Sequence, residues 1–403
     1  MSAARLDTAS HSVPAPLARG FTDGNHLQLL KSGGEYFPAL ITAIEQARHE
    51  VHLETYIFAD DATGRRVAAT LVQAAQRGVA VRVLVDGFGA RDFEAGMGAG
   101  LAAAGAEVLT YRPEAGRFAM RRHRLRRMHR KLAVIDGSIG FVGGINVVDD
   151  FDAGTAPRFD YAVRVEGPLV ARLHLAVRHV WRMVRWARLG HRPPPPAPLP
   201  RHPVPAGTMR GALVLRDNLA HRHDIEYAYL DAIRGARREI LIANAYFLPG
   251  RRFRKALLLA AQRGVSVRLL LQGRSDHVLF HYATQALYDR LLAAGVRIYE
   301  YDKAELHAKV AVVDDDWATV GSSNIDPFSL LLAREANLVV RDVGFVGELR
   351  SSLAAALAGT AREIRAEDQA HRPWRARLAS LLAYSLVRFM LGVTRYAGKQ
   401  YSG

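Results

Sequence analysis

The chain has 403 residues, 55 Lys and Arg against 39 Asp and Glu, a formal net charge of +16 and no cysteine. Its length allows two domains with cores of their own, and the missing cysteine excludes disulfides and thiolate metal sites. The basic excess points to an anionic partner, and composition leaves nucleic acid and an acidic membrane surface equally open.

Residues 1–24, a flexible N-terminus by composition, carry no apolar run of signal-peptide length, so the expectation is an unsecreted protein. "YFPALITAIEQARH" (36–49) reads as a helix and "VHLETYIF" (51–58) as a strand. A second helix (64–77) ends at Gly78 and feeds "VAVRVLV" (79–85), a continuous apolar run of the buried-strand type. A third helix (about 94–104) ends near Gly105, and "AEVLTY" (106–111) is a further strand. This βαβ rhythm predicts an α/β layer fold with a central mixed sheet. An Arg-rich segment, 112–128, precedes the β-rich "RKLAVID", which runs through Asp136 and Gly137, a hairpin signal, into "SIGFVGG". Residues 168–190 predict a basic amphipathic helix with two tryptophans. "PPPPAPLPRHPVPAG" (193–207) excludes helix and central strand, so it reads as a semi-rigid linker between domains at 25–192 and 208–365. Residues 366–403 form a basic, apolar C-terminal segment. Its longest apolar run, 378–393, is interrupted by Arg388 and falls short of the roughly 18 residues a membrane span needs.

The second domain repeats the first. "AAQRGVAVRVLVDG" (74–87) answers "AAQRGVSVRLLLQG" (260–273), "ARHEVHL" (47–53) answers "ARREILI" (236–242), and "AAGAEVLTY" (103–111) answers "AAGVRIYEY" (293–301). Partners lie 186 to 190 residues apart until "HRKLAVIDG" (129–137) and "HAKVAVVDD" (307–315), where the step drops to 178. The first copy therefore carries an insertion at 112–128. Ordered matches of this kind mark an internal duplication.

On a strand, positions i and i+2 share a face, so His129 and Lys131 project together, as do His307 and Lys309. Asp136 and Asp314 stand an odd step away, at the turn, and are expected to bond backbone groups there. The return strand brings Gly143, Gly144 and Asn146 back beside the first pair, and Gly321, Ser322 and Asn324 beside the second. His, Lys and Asn on one surface suit a phosphodiester. Lys and Asn hold the non-bridging oxygens, while His attacks phosphorus or moves protons. A two-step displacement needs a nucleophile and an acid, hence two such sets face to face. Glu54 and Tyr56, and Tyr246 and Phe247, are weaker candidates for a pocket wall. The remaining histidines, including His221, His223, His277 and His281, show no coherent metal-ligand spacing, so neither a metal nor a cofactor is expected.

The doubled H-x-K-x4-D-x6-G-[SG]-x-N pattern resembles the phospholipase D superfamily over about residues 25–345, with Gly144 standing where many members have Ser. The resemblance implies two similar α/β/α halves, each with a central mixed sheet, packed face to face as an internal pseudo-dimer. It also implies a phosphohistidine intermediate. His129 is then the nucleophile, His307 the general acid and base, and a buried carboxylate downstream of each motif (Asp160, Glu335) orients its histidine. "LLKSGGEYFPALITAIEQARH", "HRKLAVIDGSIGFVGGIN" and "GSSNIDPFSLLLAREANLVV" are similar to the shorter bacterial cardiolipin synthases. That likeness implies phosphatidyl transfer from phosphatidylglycerol to a second phospholipid. Its setting is the surface of an anionic bacterial membrane, peripheral and on the cytoplasmic face. Other phospholipase D-type hydrolysis or transphosphatidylation is the alternative. A nuclease is the remoter one, since only Phe118 interleaves the basic 112–128 segment, and no obligatory nucleic acid is expected.

Overall fold

The computed structural model describes residues 20–113, 126–151, 156–190, 204–273 and 278–393. Of the segments singled out above, 1–19, most of the basic insertion (114–125), most of the linker (193–203), His277 and the last ten residues (394–403) lie outside the described residues.

The first half runs β1 (Thr22–Lys31), α1 (Ser32–Glu45), β2 (Glu50–Thr55), α2 (Ala62–Gln76), β3 (Ala80–Asp86), α3 (Met97–Ala103), β4 (Glu107–Tyr111), β5 (Lys131–Ile135), β6 (Ile139–Gly143), β7 (Tyr161–Glu166) and α4 (Leu169–Leu189). The second half runs β8 (Met209–Arg216), α5 (Asp224–Gly235), β9 (Glu239–Asn244), α6 (Arg251–Gln262), β10 (Ser266–Gln272), α7 (Val278–Gln285), α8 (Tyr288–Ala293), β11 (Arg297–Tyr301), β12 (Lys309–Val313), β13 (Trp317–Gly321), α9 (Pro327–Leu331), β14 (Glu335–Arg341), α10 (Val343–Gly359) and β15 (Ala361–Ile364). Two C-terminal helices follow, α11 (Ala366–Ala370) and α12 (Trp374–Val393).

Strand order within the halves is mirrored: β1-β7-β6-β5-β2-β3-β4 in one, β8-β14-β13-β12-β9-β10-β11 in the other, with β15 added at the edge. Helical crossovers make β2, β3 and β4 parallel, while the three-residue turn at 136–138 makes β5 and β6 antiparallel. The two mixed sheets meet where β1 pairs with β8, giving one continuous set of 15 strands. Sequence reading passed over β1 and β8, which begin each half and alternate only weakly. It also started the first helix at 36, whereas α1 begins at Ser32, directly after a residue pairing in β1.

The outer face of each sheet carries its own apolar core, with α1, α2 and α3 in the first half and α5, α6 and α8 in the second. The inner faces share one core. Leu132, Val134 and Val163 from the first half join Leu241, Val310 and Leu338 from the second, together with residues of α4 and α10. The apolar stripe of α4 is buried, with Leu173 and Val177 in this shared core and Val180 and Trp181 against Leu84, Leu109 and Met128 of the first half, while Leu175 and Trp186 stay exposed.

Asp136 and Asp314 sit at φ of 51° and 47°, where Asp is among the better-tolerated side chains. The Asp136 carboxylate accepts from the backbone N–H groups of Arg48, His49 and Glu50 at 2.7–2.9 Å. Asp314 does the same for Arg237, Arg238 and Glu239 at 2.9–3.0 Å. Each hairpin is thereby pinned to the start of the neighbouring central strand, well away from the histidines.

Candidate active site

The two halves exchange short parallel bridges at the point where the motifs enter the sheet: Met128 with Arg334, and Phe159 with Leu306. His129 N–H donates to the Arg334 carbonyl at 2.9 Å, and His307 N–H to the Phe159 carbonyl at 3.0 Å. Each histidine is therefore delivered to the start of the other half's carboxylate-bearing strand.

The side chains follow. His129 Nδ1 lies 3.0 and 3.2 Å from the two carboxylate oxygens of Glu335. His307 Nδ1 lies 2.6 Å from Asp160 Oδ2. The pairing is crossed: the carboxylate downstream of each motif serves the histidine of the other copy. Sequence reading had assigned each to its own histidine, because both stand at similar distances downstream and the inter-half bridges leave no local signal.

A carboxylate can only accept, so Nδ1 of each imidazole carries a proton and Nε2 presents its lone pair. Both histidine side chains keep 17% exposure, whereas Glu335 is fully buried and Asp160 is 4% exposed, so the imidazoles are the accessible members of each pair. Lys131 Nζ donates to the His129 carbonyl at 2.6 Å, and Lys309 Nζ donates to the His307 carbonyl. Both lysines are buried beside the pairs. Asn146 accepts Ile57 N–H through Oδ1 at 3.2 Å, which leaves its amide N–H groups as the free donors of that side chain. Asn324 is buried at the matching place.

The quartet Lys131, Lys309, Asp160 and Glu335 balances formally. Burial lowers the Lys131 ammonium to about 7, and it lowers Lys309 as well. Burial also pushes the Asp160 carboxyl up to about 6. Glu335 ends below the ordinary range, because His129, Lys131 and Ser322 outweigh its desolvation. Desolvation lowers both histidines, His307 furthest, with Lys309 and Lys131 adding to the effect. Both imidazoles are thereby biased toward the neutral form. Bringing in a phosphodiester monoanion leaves one negative charge in excess, which a proton on one imidazole offsets. The arrangement thus yields one neutral nucleophile and one general acid from two chemically similar histidines.

Ser322 and Gly144 occupy matching places and differ for a steric reason. Ser322 Oγ donates to Glu335 Oε2 at 2.5 Å, helping to hold the longer carboxylate. A Cβ on Gly144 would stand 2.3 and 2.7 Å from the Asp160 carboxylate oxygens, so only Gly lets the shorter Asp reach His307. Gly144→Ser is expected to displace Asp160 and cost about 10²-fold or more in turnover, with little change in thermal stability. Steady-state kinetics beside a melting curve checks this, and a fully active variant would refute the steric account.

Of the weaker candidates, Tyr56 reaches the site. Its ring lies edge-on to His129 at a centroid distance of 4.9 Å, with Lys131 Nζ 5.4 Å from the ring centre. Glu54 instead forms a buried bidentate pair with Arg130 at 2.6 and 2.8 Å. Phe247 is core, and Tyr246 packs on Phe280. His221 bonds Asp224, and His281 bonds Gln285. A cluster that sequence reading missed gathers Glu50, His52 and His174, whose ligand atoms lie within 4.8 Å of one another. Glu50 and His52 share β2, and only the packing of α4 brings the distant His174 to them, 2.8 Å from Glu50. Arg82 NH1 stands 3.2 Å from Glu50 and 3.4 Å from His52, so a guanidinium already supplies the positive charge that a metal would bring.

A family model described as "Cardiolipin synthase, PLD-like domain" matches this chain twice, over residues 40–171 and 229–356. Cardiolipin synthase B of Salmonella typhi is 42% identical over 375 residues, covering 92% of this chain and 89% of that protein. The major cardiolipin synthase of Bacillus subtilis (strain 168) is 32% identical over 360 residues, covering 88% and 73%. Among solved structures, phosphatidylserine synthase of Haemophilus influenzae Rd KW20 superposes with a TM-score of 0.67 at 12% identity, over 92% of this chain and 95% of that one, a likeness of fold.

Proposed function

The chain belongs to the cardiolipin synthase family of the phospholipase D superfamily, and from that premise we propose that it transfers a phosphatidyl group between two phospholipids through His129 and His307. The observation that carries the mechanism is the crossed pairing of the two histidines with Glu335 and Asp160. His129 Nε2 attacks the phosphorus of one phosphatidylglycerol, forming a P–N bond. The P–O bond to glycerol breaks, and the glycerol oxygen takes the proton of His307. Lys131, Lys309, Asn146 and Asn324 stabilise the charge on the non-bridging oxygens. His307, now neutral, takes the proton of a headgroup hydroxyl on a second phosphatidylglycerol. That oxygen displaces His129 from phosphorus, and cardiolipin leaves. One phosphodiester replaces another, so no nucleotide is consumed and neither metal nor cofactor is needed. The low exposure of the imidazoles restricts water, which would divert the intermediate to hydrolysis.

The same proposal places the chain at the surface of an anionic bacterial membrane, peripherally and on the cytoplasmic face. Among the described residues no helix is long and apolar enough to cross a membrane. α12 packs Ala383 and Val387 inward but exposes Trp374, Leu378, Leu381, Leu382, Leu386 and Phe389. Such a stripe, flanked by Arg375, Arg377 and Arg388, suits an interfacial helix, and each arginine near anionic lipid contributes about 1 kcal/mol.

Purified protein incubated with labelled phosphatidylglycerol vesicles is expected to release glycerol and form cardiolipin without nucleotide, and to leave single-stranded DNA intact. DNA cleavage with inert lipid would overturn this reading. In the same assay Phe389→Glu is expected to lower turnover on vesicles several-fold while leaving short-chain, soluble phosphatidylglycerol unaffected. Equal turnover on both substrates would remove α12 from the membrane face.

A further inference from the structure

On the α4 side of the sheet a cleft of about 660 Å³ opens between α4, β8 and the loop after β8. Its walls carry Arg172, His179, Arg216 and Arg334 beside Leu175 and Leu219. The catalytic mechanism uses none of these side chains.

Glu335 and Asp217 are the acidic charges facing Arg216, and Asp217 and Glu54 those facing Arg334, yet none of them closes on these guanidinium groups as an ion pair. Arg172, Arg216 and Arg334 form no ion pair among the described residues. Arg216 is 3% exposed, spends one nitrogen on the Ala333 carbonyl and Asn218, and leaves its buried Nε–H without a partner. Arg334 finds the Tyr111 hydroxyl at 3.3 Å and the Met183 sulfur at 3.4 Å, both uncharged. Two acids share these walls and bond other groups. Asp217 accepts from the backbone N–H groups of Leu219 and His221, and Asp224 bonds the His221 ring. A buried, under-partnered guanidinium is costly to keep unless an anion completes it.

The apolar part of the cleft is open to solvent. Leu175 is 52% exposed and Leu219 76% exposed, and both line it. Buried cations beside an exposed aliphatic wall match one class of ligand: an amphiphile with an anionic head. A volume of this size is in the range of sites that hold such molecules. Arg residues suit phosphate oxygens in particular, because the planar fork gives two parallel N–H donors.

We infer that this cleft is a second phospholipid site, distinct from the site of transfer, which holds the phosphate of an anionic phospholipid against Arg216 and Arg334 with Arg172 at the mouth and an acyl chain along Leu175 and Leu219. The assignment rests on the cleft's own walls and stands apart from the transfer mechanism.

The absence of cysteine makes the test direct. Leu219→Cys in the full chain gives one thiol at the mouth of the cleft, to which an environment-sensitive fluorophore is attached. Titration with dihexanoyl-phosphatidylglycerol below its micelle concentration is expected to give a saturable response. Dihexanoyl-phosphatidylcholine should bind at least about fivefold more weakly, and inorganic phosphate should give no comparable change. Arg216→Gln should weaken phosphatidylglycerol at least about tenfold. Arg172→Glu, on an exposed side chain that no fold contact depends on, should weaken it about fivefold while leaving transfer on the soluble lipid unchanged. Lys131→Ala should do the reverse, losing transfer while keeping the fluorescence response. Equal binding of both lipids, an Arg172→Glu variant with unaltered affinity, or loss of the response in Lys131→Ala would each overturn the second site. A response to phosphate alone as strong as to the lipid would replace it with a simple anion site.

Discussion

Alanine at His129 or at His307 is expected to abolish phosphatidyl transfer, by more than about 10⁴-fold, with phosphatidyl-enzyme accumulating only in the His307 variant. The asymmetry follows from what each imidazole does. Without His129 no P–N bond forms, so nothing can be trapped. Without His307 the attack still occurs at a reduced rate, because Lys131, Lys309 and the asparagines continue to hold the phosphate, but no base remains to activate the acceptor hydroxyl. Glu335 stays ionised and meets His129 Nδ1 with both oxygens, which favours the neutral tautomer with a free Nε2. His307 Nδ1 lies 2.6 Å from Asp160 Oδ2, which fixes its tautomer and ring orientation. Acid quenching of labelled lipid with each variant, followed by separation of protein-bound label, checks the assignment. Label retained by the His129 variant would exchange the two roles.

Asn at Asp160 behaves as a weakened His307 variant, and Gln at Glu335 as a weakened His129 variant. Each amide can present N–H where the imidazole needs an acceptor, so the wrong tautomer is favoured and turnover falls on the order of 10²–10⁴-fold. The crossed geometry decides which half-reaction suffers. Asp160→Asn should accumulate phosphatidyl-enzyme, and Glu335→Gln should not. If each carboxylate served the histidine of its own copy, the two outcomes would be exchanged. The pH dependence is a second readout. Burial raises Asp160 to about 6, and its useful form is the ionised one. Wild-type turnover is therefore expected to fall as pH drops through about 6. Asp160→Asn removes that limb along with most of the rate. An unaltered acid limb in the variant would assign it to another group.

Much of this site is legible in the chain before any fold is known, because its spacings are local. His and Lys two residues apart on a strand share a face whatever surrounds them. A turn at Asp136 and Gly137 returns Asn146 to the same end of the hairpin. The duplication supplies the second set, and the alternation of helices and apolar strands makes the α/β class readable. Other features depend on contacts between residues far apart in sequence. The β1–β8 junction that makes two sheets one, the burial of the apolar stripe of α4, and the meeting of Glu50, His52 and His174 all need the packed molecule. Sequence alone placed His, Lys and Asn in two matching sets, a combination suited to a phosphodiester. The tertiary structure decided which carboxylate serves which histidine, and why Gly144 is not Ser. The reason is physical: the bridges Met128–Arg334 and Phe159–Leu306 carry each motif across the interface, and only there do Asp160 and the missing Cβ compete for the same space.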